Sequence, residues 1–288
     1  MNSYVIYTDS GCDIKADLLS EWCVPCSALT FRFTDSDKEY KNNDMPINEF
    51  YKEMTEGRIA KTSAINSQSF YDSFKEILEG GKDIIYIGFS SGLSTTYNSA
   101  KSAAKELQAQ YPERKIITVD SLCASAGQGL LVRLVLDKKE SGATIEEAAK
   151  YAESIKKKIC HWFTVNDLVY LKRGGRISPT VAFVGNMLGI KPILHVDNEG
   201  HLVNVSKVRG RRGSINALAE KYGELADKNA EGKIYISHAF CEDDARYLSE
   251  VIEEKYGKKT ELITDVGTVI GAHSGPGTLA LFFVGKER

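Results

Sequence analysis

Apolar and polar positions alternate along the chain with a period that keeps changing, and those changes outline the fold. Short, nearly unbroken apolar runs at Tyr4–Thr8, Asp83–Phe89 and Lys115–Val119 suit strands covered on both faces. Between them, apolar residues recur at steps of three and four. One set is Phe70, Phe74, Ile77 and Leu78; the next is Tyr97, Ala100, Ala104, Leu107 and Tyr111. Both are the stripe of an amphipathic helix. The same period predicts helices over 15–22, from Ile47 to Met54, and over 124–139 and 145–159. A strand is expected from Pro25 to Phe33, an exposed polar loop from Asp35 to Asp44, and a turn at Lys61-Thr62-Ser63. Strands alternating with helices argue for a mostly parallel, doubly wound α/β sheet.

The style changes near residue 160, which divides the chain into an N-terminal α/β domain (1–160) and a C-terminal α/β domain (161–288). Beyond it, Trp162–Val165 reads as a strand. The stretch Leu171-Lys-Arg-Gly-Gly-Arg-Ile-Ser178 is a basic glycine-rich turn. Two strands, Ile193–Val196 and His201–Val208, flank Asp-Asn-Glu-Gly, a hairpin signal, so this second sheet is expected to be mixed or antiparallel. Helices over 214–229 and 243–256 and strands over 233–238 and 260–264 follow.

Three strands of the first half end in the same chemistry: Thr8-Asp9-Ser10, Phe89-Ser90-Ser91 and Val119-Asp120-Ser121. Ligands in open α/β sheets sit at the carboxyl ends of strands. The richest of these turns, Ser90-Ser-Gly-Leu-Ser94, precedes a helix that Ser94 is placed to cap. Backbone N–H groups, a helix dipole and several hydroxyls then converge, which suits an anion. Helix capping alone explains Asp9 and Asp120 about as well.

Composition narrows the class. With 42% hydrophobic and 26% charged residues the chain is that of a soluble globular protein. A net charge of −2 gives no overall pull toward nucleic acid or acidic membranes. No basic n-region precedes an apolar h-region, and no apolar run is long enough to span a bilayer, so a cytoplasmic location without stable membrane insertion is expected. Six cysteines are then expected as thiols. Cys23-Val-Pro-Cys26 has redox spacing, but a helix precedes it instead of following it, so both residues are read as buried apolar cysteines. No metal site or cofactor is expected.

Gly88-Phe-Ser90-Ser-Gly92 matches the nucleophile elbow of serine hydrolases, and Asp265 and His273 would complete the chain order of a triad. Against this, the helical stripe begins several residues after Ser90, and no oxyanion segment is visible. Gly275-Pro-Gly277-Thr-Leu-Ala280 matches a dinucleotide fingerprint but lies too near the C-terminus for a βαβ unit. His161, His195, His201 and His238 are read as structural, and His273 as part of a loop bracketed by glycines.

Taken together, Thr8-Asp9-Ser10, Thr62-Ser63, Ser90-Ser-Gly-Leu-Ser94 with Thr96-Tyr97, Val119-Asp-Ser121, Arg173-Gly-Gly-Arg-Ile-Ser178, Lys191-Pro-Ile-Leu194 and His273-Ser-Gly-Pro-Gly277 resemble the DegV family of fatty-acid-binding proteins. The resemblance implies two α/β domains with a long-chain fatty acid between them. It implies a carboxylate held by Thr62, Ser94 and His273, with Ser63, Ser91, Thr96 and Ser274 around it. It further implies a non-catalytic binding subunit that presents the acid to a fatty acid kinase, which makes an acyl phosphate. Thr95 stands where the family commonly has Gly, and Ala64-Ile65 where Gln-Pro is common. The acyl chain needs an apolar cleft, for which Leu279–Val284 and 181–188 are candidates. Two basic clusters, Arg173 with Arg176 and Lys207 with Arg209, Arg211 and Arg212, are candidates for docking the kinase; Arg173, Arg209 and Arg211 are the first choices.

Overall fold

A computed structural model describes residues 3–42, 44–177, 189–227 and 232–288. The chain opens with β1 (Tyr4–Asp9), a 3-10 turn (Ser10–Cys12), α1 (Ala16–Glu21), β2 (Cys26–Ser27), β3 (Thr30–Phe33) and β4 (Glu39–Lys41). Next come α2 (Ile47–Thr55), β5 (Ala60–Ser63), α3 (Ser67–Glu79), β6 (Asp83–Gly88), α4 (Thr96–Gln110) and β7 (Ile116–Asp120). Two helices, α5 (Ala126–Glu140) and α6 (Ile145–Ile155), lead to β8 (Ile159–Thr164), α7 (Val169–Arg173), β9 (Ile190–Val196) and β10 (Leu202–Arg209). The rest is α8 (Arg211–Leu225), β11 (Ile234–His238), α9 (Glu242–Tyr256), β12 (Leu262–Asp265), α10 (Thr268–Ser274) and β13 (Leu279–Val284).

Three sheets result. The first is parallel throughout, in the order β2-β1-β6-β7. The second is mixed, in the order β10-β9-β8-β13-β11-β12, with only the β11–β12 pair parallel. A small antiparallel sheet, β4-β3-β5, stands beside them.

The period of two along each strand sorts side chains between layers. On the first sheet Ile6, Ile85 and Ile87 face α1, α5 and α6, while Tyr7, Ile84 and Tyr86 face α3 and α4. On the second, Phe163, Ala280 and Phe282 face α5, while Trp162, Ile236, Leu281 and Phe283 face α8 and α9. Helix α5 is therefore shared. Leu130, Leu131, Val132, Leu134, Val135 and Leu136 are all buried on it, which is why its sequence shows little amphipathic contrast.

Four expectations need correction. The strand expected from Pro25 to Phe33 is two strands in different sheets. Its chain breaks at Ala28-Leu29, where Leu29 N–H donates to Ser10 Oγ and Leu29 C=O accepts from Asn42 N–H. The loop expected at Asp35–Asp44 contains β4, which pairs with β3. Thr62 lies in β5, opposite Phe31, and not in a turn. The helix expected over 145–159 ends at Ile155 and passes through a 3-10 turn into β8. Its start is as sharp as its end, because Thr144 and Glu147 form a capping box.

The layers approach closely at Gly127, where a Cβ would lie 2.2 Å from His161 Nε2. Gly127→Ala should therefore destabilise the fold by about 1–3 kcal/mol through overpacking. Gly213→Ala, also on a helix but with its nearest neighbour 4.0 Å away, should melt at or above the wild-type temperature, because Ala is the better helix former. Calorimetry on the pair checks this; equal Tm for Gly127→Ala and wild type would show that the layers are not in register-fixing contact there.

Candidate functional site

A cavity of about 550 Å³ opens between the turns that follow β6 and β7, the inner face of the second sheet, β5 and α10. That volume lies within the range of about 300–1,000 Å³ usual for small-molecule sites. Most of its wall is apolar: Leu29, Phe163, Val266, Val269, Ile270 and Phe282 are among the lining residues. Of the apolar run at the chain end, Ala280 and Phe282 line the cavity, whereas Leu279, Leu281 and Phe283 point to α8 and α9. The other candidate, 181–188, lies outside the described residues.

Polar groups gather at one end. Thr62 Oγ1 lies 2.7 Å from His273 Nε2. Ser94 Oγ accepts from Thr96 N–H at 3.2 Å and sits 2.9 Å from Thr96 Oγ1, which takes the N–H of Ile65 at 3.4 Å. These contacts bind the start of α4 to the segment after β5. Arg176 closes the group: its Nε donates to Leu93 C=O at 3.1 Å and its Nη1 to Gly174 C=O. Ser63, Ser91, Ser94, Thr95, Arg176, His273 and Ser274 all line the same cavity. Thr96 is fully buried behind Ser94 and supports it. Ser274 Oγ is buried with no hydrogen-bond partner among the described residues.

His273 is on α10, not in a loop, and its ring fits against the backbone of Gly174, where a Cβ would lie 2.1 Å from Nδ1. Burial first, and the Arg176 charge second, push the His273 pKa down to about 4. The ring is therefore neutral at pH 7, and the positive charge at this end belongs to Arg176, which stays protonated. With Nε2 carrying the proton, His273 donates to Thr62 Oγ1 and leaves the Thr62 hydroxyl proton for an incoming acceptor. Hydroxyl donors, a neutral imidazole and one guanidinium make a set that can hold a carboxylate.

The hydrolase arrangement does not form. Ser90 is fully buried, donates to Gly200 C=O at 2.9 Å and accepts from Gly92 N–H at 3.2 Å. Asp265 faces His238 Nε2 at 3.8 Å and Lys15 Nζ at 3.9 Å instead of His273. The acids of the strand-end turns are structural. Asp9 accepts from Tyr86 Oη at 2.6 Å, Phe89 N–H at 2.8 Å and Gly11 N–H at 3.0 Å. Asp120 accepts from the N–H groups of Ser91 and Leu122 at 3.1 and 3.2 Å. Cys23 and Cys26 are exposed, contrary to the buried reading. Among the described residues no group of three or more His, Cys, Asp or Glu is placed to hold a metal ion, and no helix is long and apolar enough to cross a membrane.

The basic clusters divide on inspection. Arg211 Nε donates to Asp244 Oδ2 at 2.8 Å and its Nη2 reaches Cys241 Sγ at 3.4 Å, so this side chain joins α8 to α9 and is not available as a surface charge. Arg212 stacks over Tyr247 at 3.7 Å. Arg173 lies over Tyr170 at 5.6 Å, and Lys207 and Arg209 are exposed on β10. Sequence reasoning placed Arg176 in a surface patch and missed its place at the polar end; its glycine neighbours, which let backbone carbonyls approach the guanidinium, were the available signal. It also missed Ser125, His161 and Ser237, which line the cavity elsewhere.

Residues 3–286 match the family model described as uncharacterised protein, DegV family. The chain belongs to the DegV family. A DegV domain-containing protein of Clostridium perfringens is 40% identical over 291 residues, covering 100% of this chain and 99% of that one. Among solved structures, a DegV lipid binding protein from Thermotoga maritima is 31% identical with a TM-score of 0.87, covering 99% of each chain. A fatty-acid-binding DegV family protein from Thermus thermophilus is 27% identical with a TM-score of 0.88, covering 99% of this chain and all of that one. The parallel first sheet and mixed second sheet are thus the DegV fold.

The neutral state of His273 has a consequence for pH. Its folded pKa lies below the ordinary 6.5, so the unfolded chain binds the proton more readily. Stability from this group is present above pH ~6.5 and is lost as pH falls toward 4. His273→Asn lacks that penalty. Thermal melts of the ligand-free protein should show wild type losing more Tm between pH 7 and pH 5 than His273→Asn; parallel slopes would mean the ring is not desolvated.

Proposed function

We propose that this DegV protein binds one long-chain fatty acid, with its carboxylate at Thr62, Ser94, His273 and Arg176 and its acyl chain along the apolar wall. The observation that carries the reading is the asymmetry of the cavity, apolar over most of its length with hydroxyls, a neutral imidazole and a guanidinium at one end. Membership of a family whose solved members include lipid- and fatty-acid-binding proteins supports it. Ser63, Ser91 and Ser274 border the head group. The two halves of the chain, divided near residue 160 and packed on the shared helix α5, enclose the ligand between them.

Magnitudes assign the roles. Burying an alkyl chain is worth about 0.8 kcal/mol per methylene, so a long chain contributes on the order of 10 kcal/mol before ordering costs. A hydrogen bond to a charged group adds about 1.5–3 kcal/mol. The tail sets affinity and the head group sets orientation. Native mass spectrometry of the purified protein should therefore show a co-purifying fatty acid. Ser94→Ala should bind about ten- to a hundredfold more weakly, yet measurably. A mass equal to that of the bare chain, with no uptake of added palmitate or oleate, would sink the reading.

We propose further that the protein acts as a carrier that offers the carboxylate to a fatty acid kinase, which forms the acyl phosphate; the hydroxyls, imidazole and guanidinium at the polar end suit holding a carboxylate. Arg173, Lys207 and Arg209 form the docking charges; Arg211 is excluded because Asp244 and Cys241 hold it. Surface charges of this kind speed and orient encounter, and salt screens them. Lys207→Glu combined with Arg209→Glu should keep fatty acid uptake while acyl phosphate formation with the cognate kinase falls, and added salt should weaken the wild-type reaction likewise. Undiminished phosphorylation at low salt would place the docking surface elsewhere.

A further inference from the structure

The hydroxyls that line the cavity differ in how they are satisfied. Ser63, Ser91 and Thr95 are exposed, so water reaches them. Thr62, Ser94, Ser125, Ser237 and Thr278 have partners within the protein. Ser274 has neither. It is 5% exposed, and its Oγ has no hydrogen-bond partner among the described residues. A buried hydroxyl left in that state costs free energy unless something in the cavity satisfies it.

Helix α10 turns that hydroxyl inward. Val269, Ile270, His273 and Ser274 all line the cavity, and their steps of one, three and one trace a single face of a helix. Ser274 thus stands one turn beyond Ile270 and next to His273. Serine in a helix commonly turns its hydroxyl back to the carbonyl four residues earlier, but Ser274 makes no such bond to Ile270. Its oxygen is left to the cavity as both donor and acceptor. Thr278, also on the wall, complements it. Thr278 Oγ1 donates to the carbonyls of Ser274 and Gly275 at 3.0 and 2.8 Å, which uses its proton and leaves its oxygen as an acceptor.

The carboxylate is already supplied by Thr62, Ser94, His273 and Arg176, so the open valence of Ser274 is additional to the head group's own donors. Its place in the chain limits where a matching group can lie. Consecutive Cα atoms are about 3.8 Å apart, so a group bonded to Ser274 lies within a few carbons of a carboxylate held by His273.

Resting on the fatty-acid reading, we propose that Ser274 selects fatty acids with a hydroxyl on the first or second carbon after the carboxyl group over unsubstituted ones. Such a hydroxyl accepts the Ser274 proton and has its own to give to Thr278 Oγ1. An unsubstituted chain leaves Ser274 buried and unpaired, and that difference is the source of the selection.

The test is competitive binding to delipidated protein of palmitate and its α-, β- and ω-hydroxy derivatives. Wild type should bind the α- or β-hydroxy acid about tenfold more tightly than palmitate, and the ω-hydroxy acid no more tightly than palmitate. Ser274→Ala should bring that ratio close to one, whereas Ser274→Thr, which keeps the hydroxyl, should retain it. The wild-type series stands as a test by itself if the alanine variant does not fold. A wild-type preference for palmitate over both the α- and β-hydroxy acids overturns the proposal while leaving fatty acid binding intact, as do equal ratios in the two variants. A ratio that Ser274→Ala leaves unmoved, because all four acids weaken together, makes Ser274 a carboxylate ligand and overturns the proposal as well. Failure of every acid to bind overturns the fatty-acid reading itself, and this proposal with it.

Discussion

Helix α5 lies between two sheets, and its burial on both sides is the constraint on which the site depends. A helix exposed on one face can slide or tilt to suit a neighbour. One whose Leu130, Leu131, Val132, Leu134, Val135 and Leu136 are all buried cannot, because each such side chain is worth about 1.5–3 kcal/mol, and together they rival the net stability of a domain. The contact of Gly127 with His161 holds the layers closest just inside the N-terminus of α5. Before that point the helix stops and its leading turn continues with Leu122 and Ser125 at positive φ. Sheets held together by a helix leave a gap where the helix ends, and that gap is the cavity.

The electrostatics follow from the same geometry. Groups in so enclosed a space must be neutral or paired. Asp9 meets this with three donors, and His161 with one donor and one acceptor. His273 meets it by giving up its proton. A charged imidazole beside Arg176 would have placed two like charges together in a buried site. The neutral ring instead sits 2.7 Å from Thr62 Oγ1, and Arg176 is left as the positive charge beside it.

Sequence periodicity read the first sheet well because its strands and helices are local units whose apolar stripes are complete in themselves. Tyr7, Ile84 and Tyr86 on one face and Ile6, Ile85 and Ile87 on the other need no distant information. It failed where pairing is nonlocal. Thr62 reads as a turn residue until β3, some thirty positions earlier, supplies a partner strand, and Pro25–Phe33 reads as one strand until Ser10 and Asn42 divide it. His273 looks like a loop residue because glycines flank it. The following Gly275 does end α10, but Gly271 is buried within the helix. The roles of Arg211 and Arg176 were legible only as charge, since nothing in a basic cluster says which guanidinium turns inward.

Three of those failures share a location. Thr62, Arg176 and His273 sit where the small β4-β3-β5 sheet, α7 and α10 converge, and each is fixed by a partner more than eighty residues away: Thr62 by His273, Arg176 by Leu93. Part of the cavity's apolar wall, Phe163, Ala280 and Phe282, comes from regular strands that a local pattern encodes. Its polar end is built from segments far apart in the chain, β5, the turn before α4, the residues that follow α7, and α10, held by long-range contacts. That division is physically sensible for a binding site. A tail asks only for apolar surface, which a sheet face supplies by alternation alone, whereas a head group asks for donors in fixed directions, which require segments from several parts of the chain to meet.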